Sequence, residues 1–315
     1  MLAAVANSAV GADWKPDKPI EFVVGTGPGS GVDNTARTVQ AILQTQKLVE
    51  PQINISNKPG GPYAVAFNYL AQFPGDGSKL ALQTSTPLAA LLTGQLTVKY
   101  FEFTPIANLI TEPILFMVRT ESPIVSSKDL AQRLKADPSA LAIALATARG
   151  NAFHITAALF ARSAGADLKK LKIVVFSSSG EAVTALLGGH VDIVAVTPGN
   201  FLPLYETKKI RILGLASTRR LGGALATVPT FKEQGFDVVF DLPRSVMGAR
   251  GLTPDQVRYW DGAFGRMVKT SEWRQAVEKN QWEEDYMNSA DLGKSLKAQY
   301  EILKDVLTEL GMVKQ

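Results

Sequence analysis

Short β-branched runs alternate with longer amphipathic stretches along the chain from Lys18 onward. This alternation is typical of α/β proteins, in which helices follow the strands and cover the sheet. In the first half of the chain the pattern predicts helices over 32–46 and 63–71. It predicts strands over 20–24, 53–57, 80–84 and 104–109.

A similar pattern begins again in the second half of the chain. A hydrophobic run at 114–119 is followed by predicted helices over 152–164 and 181–187. A further apolar run at 245–249 precedes a region over 254–310 that predicts helix and no further strand. The predicted strands of this half lie at 141–146, 173–176, 192–196 and 210–216.

Because the pattern restarts, we predict an α/β protein with two lobes that are joined by two crossover strands and enclose a ligand cleft. The first lobe is predicted to consist of 14–113 plus 242–315, and the second of 114–241. A length of 315 residues agrees with two domains. One long doubly wound sheet is the alternative, but a single sheet gives no reason for the pattern to restart.

Composition narrows the class of function. Apolar residues make up 46% of the chain and charged residues 20%, so wholesale disorder is excluded. The net charge of +4 is spread along the chain without a Lys/Arg run, so we expect no nucleic-acid partner. The absence of cysteine and the presence of only His154 and His190 predict no metal, and we expect no cofactor. The sequence contains no run of about eighteen apolar residues, which is the length that predicts a membrane span.

The N-terminal residues are small and apolar up to Ala12, and the polar part of the chain begins at Asp13. Val10 and Ala12 occupy the small-residue positions of a signal-peptide cleavage site. The basic segment and most of the apolar segment of such a peptide are missing, and an Ala-rich leader without meaning is the alternative. We interpret 1–13 as the remnant of a signal peptide and predict an exported, periplasmic protein.

A glycine-rich segment, Gly25-Thr26-Gly27-Pro28-Gly29-Ser30-Gly31, lies between the first predicted strand and the first predicted helix. Glycines allow tight turns with exposed N–H groups, which together with a helix N-terminus form a site for anions. A dinucleotide fingerprint does not fit, because Ser30 replaces its third glycine and no acidic residue ends the next strand. Asp33 falls in the first helical turn, where it can cap backbone donors.

Two loops of the second half also follow a strand and begin a helix. In one of them Gly150 and Asn151 can present N–H donors, and Arg149 can pair with a carboxylate. His154 is interpreted as a structural hydrogen-bonding residue. The other loop, at 177–181, offers serine hydroxyls and another helix N-terminus. The predicted ligand-binding residues up to this point are Thr26, Gly29, Ser30, Gly31, Asp33, Thr86, Thr147, Arg149, Gly150, Asn151, Ser178, Ser179, Gly180 and Thr197.

Sequence motifs of catalysis are absent. The chain has no Gly-x-Ser-x-Gly, no His-Glu-x-x-His and no cysteine. The paired carboxylates Glu283-Glu284 lie in the predicted C-terminal helical region and are interpreted as a solvated face. Loops of small residues without a nucleophile or base predict a binding protein and not an enzyme.

Several short segments resemble the substrate-binding proteins of the tripartite tricarboxylate transporter family, the Bug or TctC-type proteins. The resemblance extends from about Lys18 to Met312, and Ser30 and the stretch 147–149 depart from the family pattern. The similar segments are Lys18-Pro19-Ile20, Pro28-Gly29 through Asp33, Asn57-Lys58-Pro59-Gly60, Pro74-Gly75-Asp76-Gly77, Gly150 through His154, Ser179-Gly180-Glu181-Ala182, Leu186-Leu187-Gly188-Gly189 and Val228-Pro229-Thr230.

The resemblance implies a type II periplasmic-binding fold that closes over a small organic carboxylate. In the family, the loops equivalent to 29–33, 150–151 and 178–180 hold the carboxylate through backbone N–H groups and bridging waters. When the ligand carries a carboxylate at each end, one end is expected on the loop at 29–33, with Arg149 or Arg244 nearby as the charged partner. Arg244, just before the predicted return crossover strand, resembles an arginine of some family members and is a further predicted ligand-binding residue. The implied partners are the permease subunits of the tripartite transporter in the membrane, and we expect a monomeric receptor.

Two other classes of function stay open at this point. The same fold can serve as a sensing module whose liganded form is read by a membrane-bound signalling kinase. An enzyme that acts on a phosphorylated metabolite, with the glycine-rich segment as phosphate cradle, is a further class. The missing acid and base disfavour the enzyme.

Overall fold

The computed structural model describes residues 14–146 and 148–314, apart from the side chain of Asn200. The predicted leader, 1–13, and the predicted site residue Thr147 lie outside the described residues, as does Gln315. The described part of the chain forms two β-sheets that are covered by α-helices.

Eleven strands occur in the described residues, and most are short and apolar. In chain order they are β1 (Ile20–Val24), β2 (Ile53–Asn57), β3 (Lys79–Gln83), β4 (Phe103–Pro113), β5 (Leu115–Arg119), β6 (Ala142–Ala146), β7 (Lys172–Phe176), β8 (Ile193–Val196), β9 (Ile210–Leu215), β10 (Asp241–Arg250) and β11 (Glu283–Met287). The ten α-helices of the described residues are α1 (Gly31–Thr45), α2 (Ala64–Leu70), α3 (Thr86–Leu92), α4 (Ser127–Ala136), α5 (Ala152–Ser163), α6 (Ser179–Leu187), α7 (Leu202–Glu206), α8 (Pro254–Met267), α9 (Ser271–Asn280) and α10 (Ser289–Glu309).

The first sheet has the strand order β11-β4-β10-β3-β1-β2, and the second has the order β7-β6-β8-β5-β9. Strand β1 pairs in parallel with β2 and β3, and β6 pairs in parallel with β7 and β8. The remaining pairings are antiparallel. Strands that helices cover on both faces are apolar along their whole length, as in β6, whose five residues are all buried.

The chain passes between the two sheets at two neighbouring places. Strand β4 leads through Ile114 into β5, and β10 begins at Asp241, which pairs with Pro113 at the end of β4. Backbone hydrogen bonds join the crossings, because Ala216 N donates to Ile114 O at 2.8 Å and Phe240 N donates to Ala216 O at 3.3 Å. Small dihedral changes at these positions can alter the angle between the sheets.

A hydrophobic core is continuous across both halves of the molecule. It includes Phe67 beside the first sheet, Phe160 beside the second and Leu303 of α10. Arg162 of α5 forms an ion pair with Asp305 of α10 at 2.6 Å. Helix α10 therefore packs against both halves of the molecule. It connects them in addition to the two chain crossings.

The C-terminal region contains an edge strand, so the prediction of uninterrupted helix over 254–310 is wrong. Glu283 and Glu284 lie in β11 and not on a solvated helix face. Glu283 is buried and accepts hydrogen bonds from Ser217 Oγ, at 3.0 Å, and from Arg219 Nε. The polar sequence has little strand propensity, so pairing with β4 and the hydrogen bonds of the buried Glu283 carboxylate decide its conformation.

The alternative of one long sheet is wrong, because the strands of the second half form a sheet of their own. Helices α3 and α4 were not predicted. Helix α3 is apolar almost throughout, with Pro87 in its first turn, so it lacks an amphipathic period. Helix α4 carries a readable start signal, since Ser126 caps the backbone N–H of Asp129. The predicted lobe boundaries stay a prediction.

Candidate functional site

A cavity of about 870 Å³ lies between the two sheets, where strands end and helices begin. Residues that follow β1, β3, β6, β7 and β8 line it, so it lies outside the carboxyl ends of parallel strands from both sheets. Ligands of α/β proteins commonly bind at such an edge. The predicted site residues on its wall are Thr26, Gly29, Ser30, Gly31, Thr86, Asn151, Ser178, Ser179, Gly180, Thr197 and Arg244.

Ser30 and Thr26 shape the wall in front of α1. Ser30 is the N-cap of α1, and its Oγ accepts a hydrogen bond from the backbone N–H of Asp33 at 3.2 Å. The same hydroxyl lies 2.7 Å from Thr26 Oγ. The cap satisfies one N–H of the first helical turn, while the other N–H groups of that turn have no partner within the helix. These donors and the helix dipole favour an anion at this wall.

Asp33 braces this wall from behind and does not line the cavity itself. Its buried carboxylate accepts hydrogen bonds from Gly29 N at 2.8 Å, from Arg37 Nε at 2.9 Å and from Asn57 Nδ2 at 2.8 Å. Burial alone would raise the pKa of Asp33, but these hydrogen bonds outweigh it and hold the pKa below its usual value. The ionised carboxylate therefore fixes the loop against β2.

The glycines of this loop serve different purposes. Gly29 has φ = 78°, in the left-handed region that favours glycine. A Cβ at Gly25 would overlap the ring of Tyr63, whereas a Cβ at Gly27 would meet no atom within 4 Å. A close packing contact thus accounts for one of the glycines that the sequence analysis assigned to anion binding.

Tyr63 is a wall residue that the sequence analysis missed. It precedes α2 with φ = 67°, and its ring packs on the backbone of Gly25. Burial raises the pKa of Tyr63 to about 12, although the nearby Arg244 lowers it in part. The phenol therefore stays protonated and can donate a hydrogen bond.

Arg244 lines the cavity, but its guanidinium is already paired. Its Nη2 donates to Glu112 Oε2, and both side chains are buried within the wall. The pairing of β10 with β4 brings them together from positions 132 residues apart. Glu112 was not among the predicted site residues, because no local pattern marks a contact over that distance.

The wall in front of α5 is formed by Asn151, the N-cap of that helix. Its Oδ1 accepts from the backbone N–H of His154 at 3.1 Å. His154 Nδ1 in turn accepts from Gly150 N at 2.9 Å. Burial, and to a lesser extent Arg149, lowers the pKa of His154 to about 4, so the imidazole is neutral and can accept this bond. The predicted structural role of His154 is confirmed.

The wall in front of α6 is formed by Ser178, Ser179 and Gly180. Ser178 is the N-cap, and its Oγ accepts from Glu181 N at 3.2 Å. The Glu181 carboxylate accepts from Ser177 N at 3.3 Å and from Ser177 Oγ at 2.6 Å. These bonds are exposed and join only neighbouring residues.

Some predicted residues do not reach the cavity. Arg149 is exposed, and its Nη2 donates to the carbonyl of Ile173 at 3.0 Å, because the loop turns its side chain along β7. Gly150 is buried next to Met312. A role for either residue in binding stays a prediction, and Thr147 lies outside the described residues.

Aromatic and amide side chains complete the wall. Phe153 and Phe201 come from the second half of the chain, and Asn280 and Trp282 come from the end of α9 and the residues after it. No sequence signal pointed to them, since an aromatic residue beside a helix is usually part of a core. The wall therefore combines polar loops with apolar surface, as is usual in sites for small organic ligands.

Within 14–146 and 148–314, no group of three or more His, Asp or Glu residues could hold a metal ion. None of the helices in the same ranges combines the length and the apolar character that crossing a membrane requires. In these residues, then, the chemistry of the cavity comes from N–H groups, hydroxyls, amides, aromatic rings and the pair of Arg244 with Glu112.

Sequence relatives and solved structures resemble this chain along almost its whole length. The UPF0065 protein in the gbd 5′ region of Cupriavidus necator is 27% identical over 317 residues, which cover 99% of this chain and 93% of that protein. A TctC solute-binding protein from Polaromonas, solved without ligand, has a TM-score of 0.79 at 23% identity and covers 94% of this chain and 99% of its own. The R. palustris protein Rpa4515, solved with adipate, has a TM-score of 0.79 at 21% identity, with 94% and 98% coverage.

These structural likenesses show the fold, and the predicted two-lobed periplasmic-binding architecture is confirmed. The family model for the tripartite tricarboxylate transporter family receptor, TctC, matches residues 35–312. The resemblance that the sequence segments suggested is thereby confirmed. The chain belongs to the TctC family of solute-binding receptors.

Proposed function

We propose that this receptor captures a small organic carboxylate in the cavity between its sheets and delivers it to the permease subunits of a tripartite tricarboxylate transporter. The observation that carries the proposal is the convergence of the N-termini of α1, α5 and α6 on one cavity. Each of these helices directs toward this region its positive dipole end and first-turn N–H groups that have no partner within the helix, one of which is bound by the N-cap side chain. A carboxylate satisfies such donors without a charged side chain.

The wall supports reversible binding of an unaltered ligand. Its described side chains include no thiol and no histidine, and Tyr63 is held protonated. The hydroxyls of Ser30 and Ser178 cap their own helices, and among the described residues neither has a hydrogen bond to a carboxylate or an imidazole. The receptors of this family bind solutes, and we extend this to a carboxylate because Rpa4515, of similar fold, was solved with adipate.

Delivery to a permease requires that the receptor adopt a different conformation when the ligand is bound. A carboxylate that contacts both the α1 wall and the α6 wall is fully bound only when the lobes are closed, so binding shifts the population toward closure. The two crossings near Ile114 and Asp241 supply the flexible positions. We therefore place the protein in the periplasm as a monomer that presents its closed form to the membrane subunits.

The test begins with a thermal-shift screen of mono-, di- and tricarboxylic acids, in which the matching amides serve as neutral controls. We expect at least one acid to raise the melting temperature while its amide does not, because a ligand that binds only the folded state stabilises it. Mass spectrometry should recover that acid unchanged. Solution X-ray scattering should then show a smaller radius of gyration with the acid than without it. A panel in which no acid binds, or turnover of the bound acid, contradicts the proposal.

A further inference from the structure

The charged side chains of the cavity wall form one balanced pair. Among the described residues that line the cavity, Arg244 is the only cationic side chain and Glu112 the only carboxylate. The two are hydrogen-bonded to each other, with 4% and 10% of their side chains exposed. The side chains of the wall therefore contribute no net charge to the ligand.

The pair lies directly beside the α1 wall. A Cβ at Gly31 would lie 3.3 Å from Arg244 Nη2, so the guanidinium packs against the first residue of the helix. Arg244 Nη1 is directed to the carbonyl of Leu242 at 3.4 Å, and Arg244 Nε has no hydrogen-bond partner among the residues that the structure describes. The guanidinium is thus held between Glu112 and the protein backbone, and a ligand that reaches it also approaches the Glu112 carboxylate.

This arrangement should distinguish a ligand that has one carboxylate from a ligand that has two. One carboxylate can be held by the helix N-termini without any net side-chain charge. A second carboxylate would meet no unpaired cationic side chain among the described lining residues, because Glu112 neutralises Arg244. Moving this further charge out of water is therefore costly. The apolar surface of Phe153, Phe201 and Trp282 suits an uncharged remainder of the ligand instead.

We infer that Glu112 is a specificity-determining residue that makes the receptor select organic monocarboxylates and reject dicarboxylates. The inference rests on the proposed function, because it concerns the carboxylate that the same cavity binds. It predicts that freeing Arg244 from Glu112 creates a site for a second carboxylate.

Hexanoate and adipate are suitable probes, since they have the same chain length and differ only in the second carboxylate. By calorimetry, we expect the unmodified protein to bind hexanoate at least about tenfold more tightly than adipate. Glu112→Gln frees the Arg244 guanidinium beside the ligand, so it should tighten the binding of both acids, and it should tighten adipate binding by at least about tenfold more than hexanoate binding. Glu102→Gln removes the partner of Arg250 in an exposed ion pair outside the cavity wall, and it should leave both affinities unchanged.

Arg244→Gln is the mirror experiment, and it keeps the test open if Glu112→Gln does not fold. It leaves the Glu112 carboxylate unpaired beside the ligand, so both acids should bind at least about tenfold more weakly. Equal affinity of the unmodified protein for the two acids overturns the inference, as does a folded Glu112→Gln that gains no adipate binding. Equal affinity leaves the carboxylate receptor intact, whereas a protein that binds no acid of the wider panel contradicts the proposed function itself.

Discussion

The loop before α1 and the loop before α6 use the same capping pattern in different surroundings. In each loop a serine N-cap accepts the N–H of an acidic residue in the first turn, and that acid accepts an N–H from the residue before the serine. Asp33 is buried and is also bound by Asn57 of β2. Glu181 is exposed, and its further bond is to the neighbouring Ser177.

The difference shows how one local motif can form two kinds of wall. A buried carboxylate that joins a loop to another strand fixes the loop, because movement of the loop would deprive a buried charge of its hydrogen bonds. An exposed cap that joins only neighbouring residues costs little to open. We therefore expect the α1 wall to keep its shape in every state of the receptor and the α6 wall to adjust to the ligand.

The largest effect is expected from Asp33→Ala. This change removes the acceptor of the Gly29 N–H, one of the two acceptors of the partly buried Asn57 amide and the partner of Arg37, so unfolding free energy should fall by about 2–4 kcal/mol. Urea unfolding measures the loss. Carboxylate binding should weaken as well, because the anion-binding wall is no longer held against β2.

Asp129→Ala is the matched control for this prediction. Asp129 stands in the same position of α4, where it accepts from Val125 N at 3.1 Å and from Arg133 Nε at 2.8 Å. Its side chain is partly exposed and does not line the cavity. Asp129→Ala should lower the unfolding free energy by about 1 kcal/mol or less and leave ligand affinity unchanged. Equal losses in the two variants would show that burial does not distinguish the two caps.

Gly25→Ala tests the close packing of the α1 wall and should have the second largest effect. The added Cβ must displace the ring of Tyr63, which is buried and which lines the cavity, so we expect a loss of about 1–3 kcal/mol in unfolding free energy. Gly27→Ala is the control, because its Cβ would meet no atom within 4 Å. Chemical unfolding of both variants gives the comparison, and a Gly25→Ala variant as stable as Gly27→Ala would contradict the proposed contact.

Much of the α1 and α6 walls could be predicted from the sequence because their signals are local. Ser30 with Asp33 and Ser178 with Glu181 are capping pairs three residues apart, and each lies in the loop that follows an apolar strand-forming run. The alternation of runs also located most strands within one or two residues. These features depend on neighbours in the chain and on the periodicity of helix and strand.

The contacts that decide the chemistry could not be predicted in this way. Glu112 meets Arg244 only because β4 pairs with β10, and Glu283 meets Arg219 only because β11 joins the edge of the sheet. The direction of Arg149 depends on a carbonyl of β7, 24 residues further along the chain. A single sequence carries no local sign of such long-range pairing. The prediction from the sequence therefore included Arg149 and omitted Glu112.

Asp241 lies at the crossing where the chain returns to the first sheet, and its ionisation makes the stability of the protein depend on pH. Burial, together with the nearby carboxylates of Glu283 and Asp285, raises the pKa of Asp241 from 3.8 to about 7. The folded protein therefore keeps this proton at pH values where the unfolded chain has lost it. Stability contributed by Asp241 falls as pH rises from about 4 to about 7, and it stays low above that range.

Asp241→Asn should remove this pH dependence. At about pH 8 we expect the variant to be more stable than the unmodified protein by on the order of 1–2 kcal/mol, with the difference vanishing toward about pH 4. Asp137→Asn is the control of opposite sign, because hydrogen bonds from Ser139 lower the pKa of Asp137. Thermal unfolding across this pH range measures both. A constant difference at all pH values would contradict ionisation of Asp241 as the cause.

The smallest effect is expected from Ser178→Ala, which removes the cap of the exposed wall. The change should cost about 0.5–1 kcal/mol of unfolding free energy, and Ser178→Asp should restore it, because aspartate also caps helices. Ser30→Ala in the braced wall should cost more, about 1–2 kcal/mol, since its Oγ also bonds to Thr26. Urea unfolding of the three variants compares how much each cap contributes to the unfolding free energy. Equal costs for Ser178→Ala and Ser30→Ala would mean that the α6 wall is as fixed as the α1 wall, and closure would then have to come from the crossings alone.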